Sequence, residues 1–517
     1  MTAMKVLALH GLAALSGVSA ARSQQRPLTH QSPLADTVTD TTEKKAIDSE
    51  ALQGTIKVEN LLARAKQLYE IAKLGEDEYN HPTRVIGSKG HTGTLEYIHS
   101  ALANMSDYYT LEKQPFTAVS GQIYEARLVL GDEVASSAWP MGLTPPTKDR
   151  QPVSGNLVLV ENEGCEADDY DGDKLKGNIA FILRGSCPFG TKSELAGKNG
   201  AVAAVVYNYE DDSVSGTLGT PLKDHVATFG LSGEEAAPVL KKLKSGKTVD
   251  TIAYIDSVVE KIVTDNIIAQ TIEGDKENCV MLGGHSDSVA EGPGINDDGS
   301  GSLTLLEIAT QLTKFKVNNC VRFAWWAGEE EGLLGSDYYV YNLPKEENKK
   351  IRLFMDYDML ASPNFAYQVY DARNDVNPVG SQELRDLYVD WYTAHGLNYT
   401  FIPFDGRSDY DGFIRNGIPG GGIATGAEGI KTKEEEKMFG GKKGDWYDPC
   451  YHQLCDDVSN LNLTAWEVNA KLVAHSVATY AKSFEGFPQR VEVDAKVTEG
   501  SKTYARSVKY HGGKLFI

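Results

Sequence analysis

The chain lacks any apolar run near the ~20 residues that a membrane-spanning helix needs, so no segment is expected to cross a bilayer. It contains no Cys-x-x-Cys and no His-Glu-x-x-His, so the short-spaced thiolate pair and the single-zinc helical motif are both absent. A basic excess is also missing. With 51 Lys+Arg against 72 Asp+Glu the net charge is -21, which argues against a nucleic-acid or anionic-membrane binder, since each needs a basic footprint. There is no internal repeat and no long low-complexity segment. What remains is ordinary globular composition, 41% hydrophobic before the 50 glycines are added and 24% charged. The 517 residues allow roughly two to four domains.

The first residues have the layout of a secretory signal peptide: a basic start to Lys5, a mostly apolar run Val6 to Leu15, and small residues at Val18-Ser19-Ala20. Residues 1–20 are therefore expected to be removed. Residues 21–45, polar and poor in aromatics, read as a leader or propeptide ending at the dibasic Lys44-Lys45. The six cysteines then favour three disulfides over metal thiolates. Sequence alone permits 15 connectivities. Locality favours Cys165 with Cys187 and Cys450 with Cys455, which leaves Cys279 and Cys320 at the starts of two apolar strands. Asn104, Asn398 and Asn462 open sequons and are expected glycosylation sites, in keeping with a secreted protein or, by the same route, a vacuolar one.

Helical periodicity covers Lys57 to Leu74 and a stretch around Thr94 to Leu102. Between about 124 and 257 the texture changes to short apolar strands, Asn156 to Val160, Ile179 to Leu183 and Ala201 to Tyr207, separated by Gly, Asp and Ser turns. Arg184-Gly-Ser-Cys187-Pro-Phe189, followed by Lys198-Asn-Gly-Ala201, is similar to the protease-associated (PA) domain, against a bland alternative of a generic α/β lobe. From about Lys261, strands at Val280–Gly284, Cys320–Ala327 and Ile351–Asp358 alternate with helices at Leu303–Phe315 and Leu384–Ala394. The fold class expected is α/β, with a mostly parallel sheet, helices on both faces and a β-rich insert. The divisions are 46–123 with 258–487 for the main domain, 124–257 for the insert and 488–517 for a tail. Lys431 to Lys443 reads as a solvated loop.

In such sheets ligands gather outside the carboxyl ends of the strands. One strand runs into His285-Ser286-Asp287, which in isolation is matched by a satisfied histidine near a turn. Gly294-Ile-Asn296-Asp297-Asp298-Gly-Ser-Gly301 enters a helix, and ordinary turn and N-cap chemistry would explain it. The next strand ends in Glu329-Glu330-Glu331, three carboxylates that repel one another unless a cation or solvent separates them. Another carries Asp356 and ends at Asp358. Tyr451-His452 lies between Cys450 and Cys455. Imidazoles and hard oxygens gathered from different strands make a donor set that suits zinc.

These motifs, together with Glu329-Glu-x-Gly-Leu-Leu-Gly-Ser, Asp358-Met359, Gly406-Arg407-Ser408-Asp409 and Tyr451-His452-Gln453, resemble the fungal di-zinc aminopeptidases with a PA insert, the aminopeptidase Y and secreted leucine aminopeptidase type. The resemblance spans nearly all the chain beyond the leader. It implies two zinc ions held by His285, Asp297, Glu330, Asp358 and His452, with Asp297 bridging. Glu329 is implied as general base and Tyr451 as oxyanion stabiliser.

The chemistry agrees: paired metals activate a water and polarise a carbonyl together, and Glu329 can shuttle the proton. Asp287 is expected to hold the second ring nitrogen of His285, and an acid-rich pocket suits a free α-ammonium group. The expected partner is a peptide with a free N terminus, leucine or another large residue first, and no nucleic acid or membrane; the expected state is a monomer. A carboxypeptidase on the same fold would need a cluster of cations, for which Arg407, the candidate substrate contact, is the one obvious residue near the motifs. A glutaminyl cyclase-like acyltransferase would hold one zinc. A binding protein of this architecture would have lost ligands.

Overall fold

The computed structural model describes residues 44–490, apart from 186, 212, 213, 215 and 220. The expected signal peptide, residues 21–43 of the leader and the tail beyond Arg490 lie outside the described residues.

The strand Asp275–His285 organises the sheet. Its parallel neighbours are Asn319–Trp326 on one side and Ile351–Tyr357 on the other, with Gly420–Ala424 parallel beyond the latter. Successive strands thus fall on opposite sides of Asp275–His285, the switch point at whose carboxyl end ligands bind. Antiparallel strands border this parallel centre, Asp250–Thr271 beside Asn319–Trp326 and Gln368–Tyr370 beside Gly420–Ala424. Alternation along the strands explains why the centre is apolar throughout. Val280, Leu282, Phe323, Trp325 and Leu353 face one core, while Met281, Ala324, Trp326 and Phe354 face another. The helices Val58–Ala72, Gly299–Leu312, Ser381–Ala394 and Leu463–Lys482 pack on the first face, and Leu334–Asn342 with Tyr410–Arg415 on the second.

The helix expected from Leu303 starts at Gly299, because the Asp298 carboxylate accepts the Gly301 N–H at 2.8 Å and caps it. It stops at Leu312. Phe315 instead belongs to a two-residue strand paired with Lys45–Ala46, so the residue expected to end the leader, Lys45, pairs with the folded body. The expected loop at Lys431–Lys443 is also corrected. It contains the helix Lys433–Phe439, with Thr432 and Glu435 forming a capping box, and the buried Lys431 ammonium donates to the carbonyls of Phe365 and Gly440.

A second lobe hangs on a ribbon of two 22-residue antiparallel strands, Tyr109–Leu130 and Asp250–Thr271. Its own four-stranded parallel array runs Val153–Leu159, Ile179–Leu183, Ala203–Tyr207, Thr228–Leu231, with separate apolar clusters on its two faces. The ribbon's register slips once, at Tyr124, where Ile123 pairs with Ser257 and Glu125 with Asp256. Disulfides join Cys165 to Cys187, Cys279 to Cys320 and Cys450 to Cys455. Asn104 and Asn398 are exposed, whereas Asn462 is half-buried and caps the helix Leu463–Lys482.

Candidate metal centre

Register places the first side chains. Gly283 pairs with Asp356 and His285 with Trp326, so Asp358 comes level with His285 on one side, while Glu329 and Glu330 follow the neighbouring strand end on the other. Asp297 arrives from the loop ahead of the capped helix, and His452 from the disulfide-closed turn, where it adopts φ 58°. Two clusters result: His285, Asp297 and Asp358, and Asp297, Glu330 and His452. His285 Nε2 lies 3.2 Å from Asp297 Oδ1 and 3.7 Å from Asp358 Oδ1. On the other side of the shared carboxylate, His452 Nε2 lies 3.0 Å from Asp297 Oδ2 and 3.0 Å from Glu330 Oε2.

Electrostatics show how tightly these groups are coupled. Burial would lower the His285 imidazole, but Asp297, Asp358 and Glu329 facing it push it well above its ordinary value. Burial would raise Asp297, but the two histidines hold it far below the usual carboxylate range. Asp358 Oδ1 and Glu330 Oε1 are buried and accept no hydrogen bond from any described residue. Carboxylate oxygens in that state, beside imidazoles and a shared acid, fit divalent zinc.

Glu329 is buried beside the two clusters, with Oε2 4.0 Å from His285 Nε2. Burial raises its carboxyl well above the ordinary value, His285 opposes the rise, and Asp358, Asp409 and Glu330 add to it. Tyr451 stacks on the His452 ring at 3.7 Å and lines a cavity of about 360 Å³ together with Asp297, Glu329, Asp358 and His452. The rest of that wall mixes apolar side chains, among them Met359, Phe401, Ile402, Ile430 and Tyr447, with the acids Asp405, Glu428 and Glu435. Arg407 also lines it, ion-paired to Glu428 at 2.8 Å.

The expected role of Asp287 needs correction. Its backbone carbonyl, 3.2 Å from Nδ1, meets the His285 ring, while its carboxylate stays 3.7 Å away. That carboxylate instead accepts the backbone N–H groups of Gly328 at 2.9 Å and of Glu329 and Glu330, each at 3.3 Å. Three converging donors outcompete one ring nitrogen, and the effect is to fix the turn that carries Glu329 and Glu330. Ser408, part of the Gly406–Asp409 motif but given no role by it, donates to Asp358 Oδ2 at 3.0 Å, and Asp456, which had no sequence signal, accepts the N–H groups of Asn296 and Asp297.

Comparison with known proteins identifies the family. Residues 266–477 match the model of peptidase family M28, and residues 153–239 match the PA domain. The chain is 52% identical over 483 residues to aminopeptidase Y of Saccharomyces cerevisiae, covering 92% of this chain and 88% of that one. It is 42% identical over 451 residues to leucine aminopeptidase 2 of Trichophyton equinum, covering 86% and 89%. Among solved structures, an aminopeptidase from Aneurinibacillus sp. strain AM-1 superposes with TM-score 0.68 at 25% identity, covering 86% of this chain and 99% of that one. A zinc aminopeptidase from Bacillus subtilis shares the fold at TM-score 0.56 and 21% identity, covering 83% and 95%.

Proposed function

The chain belongs to peptidase family M28 and is a zinc-dependent aminopeptidase, and from that premise we propose that it holds two zinc ions, one among His285, Asp297 and Asp358 and one among Asp297, Glu330 and His452. The observation that carries this reading is the sharing of Asp297, a buried carboxylate with a histidine on each side. Zinc held there supplies Lewis acidity, polarising the scissile carbonyl and making water acidic near neutral pH.

The chain's own groups do the rest. Glu329 takes a proton from the attacking water and hands it to the leaving amine. The Tyr451 hydroxyl donates to the carbonyl oxygen as its negative charge grows. Asp287 keeps the Glu329–Glu330 turn in place through three N–H groups. A peptide enters by its free N terminus, its ammonium drawn to the acid-rich site. The apolar part of the wall, Met359, Phe401, Ile402 and Ile430, supports leucine or another large first residue. Arg407, its charge met by Glu428, borders the substrate rather than forming the cation cluster a carboxypeptidase requires.

The slip at Tyr124 supports dividing the chain into a catalytic domain, 46–123 with 258–487, and a PA insert, 124–257, followed by a tail from 488. The signal-like start and three disulfides support export to the exterior or the vacuole. Exposure supports glycans at Asn104 and Asn398. Among the described residues no helix is long and apolar enough to cross a membrane.

The reading is tested by zinc analysis combined with hydrolysis of peptide pairs bearing free and acetylated N termini. Two zinc ions per active chain and cleavage of free amines alone are expected. A single zinc in active protein would favour the cyclase-like chemistry, and equal cleavage of acetylated peptides would end the aminopeptidase assignment.

A further inference from the structure

Arg84 lies between the helices Val58–Ala72 and Lys89–Ala103, far in sequence from every ligand, yet it is fully buried beneath the metal centre. Among the described residues its guanidinium reaches no carboxylate. Instead Nε donates to the Pro293 carbonyl at 2.8 Å, Nη1 to the Ser286 carbonyl, and Nη2 to the Gly294 carbonyl and, at 3.4 Å, to that of Asp297. The backbone adds a second layer. The Arg84 N–H donates to Ser288 Oγ at 2.8 Å, the Ser288 N–H donates back to the Arg84 carbonyl at 3.3 Å, and Thr83 Oγ1 donates to the Val289 carbonyl at 2.9 Å. One planar fork thus joins the loop leaving His285 to the loop carrying Asp297.

From this geometry we propose that Arg84 is a positioning residue for the ion among His285, Asp297 and Asp358. Only an arginine supplies a flat array of donors that can satisfy several carbonyls at fixed mutual angles; a lysine offers a point charge on a flexible stem. Sequestering a full charge against neutral carbonyls is costly unless the neighbourhood is acidic, and Asp287, Asp298, Asp456 and Asp297 surround it. Glu330 and His452 reach the centre from elements that the guanidinium does not touch. Asp297 serves both ions, but the loop leaving His285, held through the Ser286 carbonyl, serves only one, so Arg84 acts chiefly on the ion held with His285.

The inference rests on the two-zinc reading, so zinc binding of the parent protein is measured first. No binding there would defeat that reading rather than this one. Arg84→Lys and Arg84→Gln are then titrated with a competing chelator after circular dichroism has established folding. The expected result is one ion held at least tenfold more weakly, with the other within about threefold of the parent. On an Asp358→Asn background, where the first cluster is already broken, Arg84→Lys should add little further loss. Equal weakening of both ions would indicate general loosening and overturn the proposal, as would unchanged affinity in a folded variant. If neither arginine variant folds, Ser288→Ala, which removes the hydroxyl accepting the Arg84 N–H, must weaken the same ion selectively, and a null effect there overturns the proposal equally.

Discussion

The backbone N–H of Asp297 donates to Asp456 Oδ2 at 3.0 Å, while Oδ1 of the same carboxylate takes the Asn296 N–H at 2.9 Å. Asp456 directly follows the disulfide turn that carries His452, and His452 faces the Asp297 carboxylate. The shared acid and one of its histidines are thus tied by main chain as well as through the metal site. Asp456→Asn leaves one of the two buried N–H groups facing the NH2 end of the amide, which donates and does not accept, a mismatch costing about 1–3 kcal/mol. Zinc affinity should fall roughly tenfold, read by equilibrium dialysis. Parent-like affinity would mean that the Asp297 loop holds its shape without Asp456.

Glu329 is buried among carboxylates but belongs to neither ligand cluster. Glu329→Gln keeps the side chain's size and leaves both clusters intact. The folded variant should retain its zinc while turnover of an aminoacyl-nitroanilide drops by about two to four orders of magnitude. The acid limb of the parent's kcat/KM profile should also disappear in the variant's residual activity. Substantial turnover in a zinc-loaded variant would remove Glu329 from the base role.

His91, buried with Nε2 3.0 Å from Ser286 Oγ, is pushed down to about 3 by burial and by the nearby charges of Arg84 and His285. The native imidazole therefore stays neutral in the range where the unfolded chain, near 6.5, takes up a proton. Stability associated with this residue is intact above 6.5 and is lost as pH falls toward 3, at up to about 1.4 kcal/mol per pH unit. His91→Gln should flatten the fall of melting temperature between pH 6.5 and 4. A variant with the parent's acid dependence would exclude His91 as its source.

The proposed ligands could be read in the sequence because His285, Glu330 and Asp358 come at or just beyond recognisable strand ends, Asp297 lies in a Gly/Asn/Asp loop entering a helix and His452 lies inside a short disulfide loop, places where polar residues stand out from apolar runs. Alternation and spacing likewise showed the parallel centre of the sheet. The supports were not legible for a specific physical reason. Arg84 acts on carbonyls 202 to 213 residues away and Asp456 on N–H groups 159 and 160 residues away, and main-chain groups leave no side-chain pattern. Asp287 misled in the opposite direction. Two residues from His285 it suggested a ring partner, but its carboxylate is turned toward N–H groups 41 to 43 residues on. Lys431 shows the same limit, since a charged run gives no sign that one ammonium will be buried on carbonyls.

Two of the disulfides should separate metal binding from stability. Cys450 and Cys455 are 5 residues apart and enclose Tyr451 and His452, whereas Cys279 and Cys320 are 41 apart and lie toward the amino ends of strands whose carboxyl ends carry the site. At about 3.3 Å per residue, six residues from Cys279 to His285 put that bridge roughly 20 Å from the ligands. Chain-entropy accounting makes the longer loop worth about 2 kcal/mol more than the shorter. Replacing Cys279 and Cys320 together by serine should therefore lower the melting temperature further, yet leave zinc affinity near the parent's. Replacing Cys450 and Cys455 should cost less stability but free His452 from its positive-φ turn, weakening the ion held with Glu330 more than the one held with Asp358. Calorimetry and chelator competition on the two variants check both halves. If the short-loop variant bound both ions as tightly as the parent, the metal rather than the disulfide would be what keeps His452 in place.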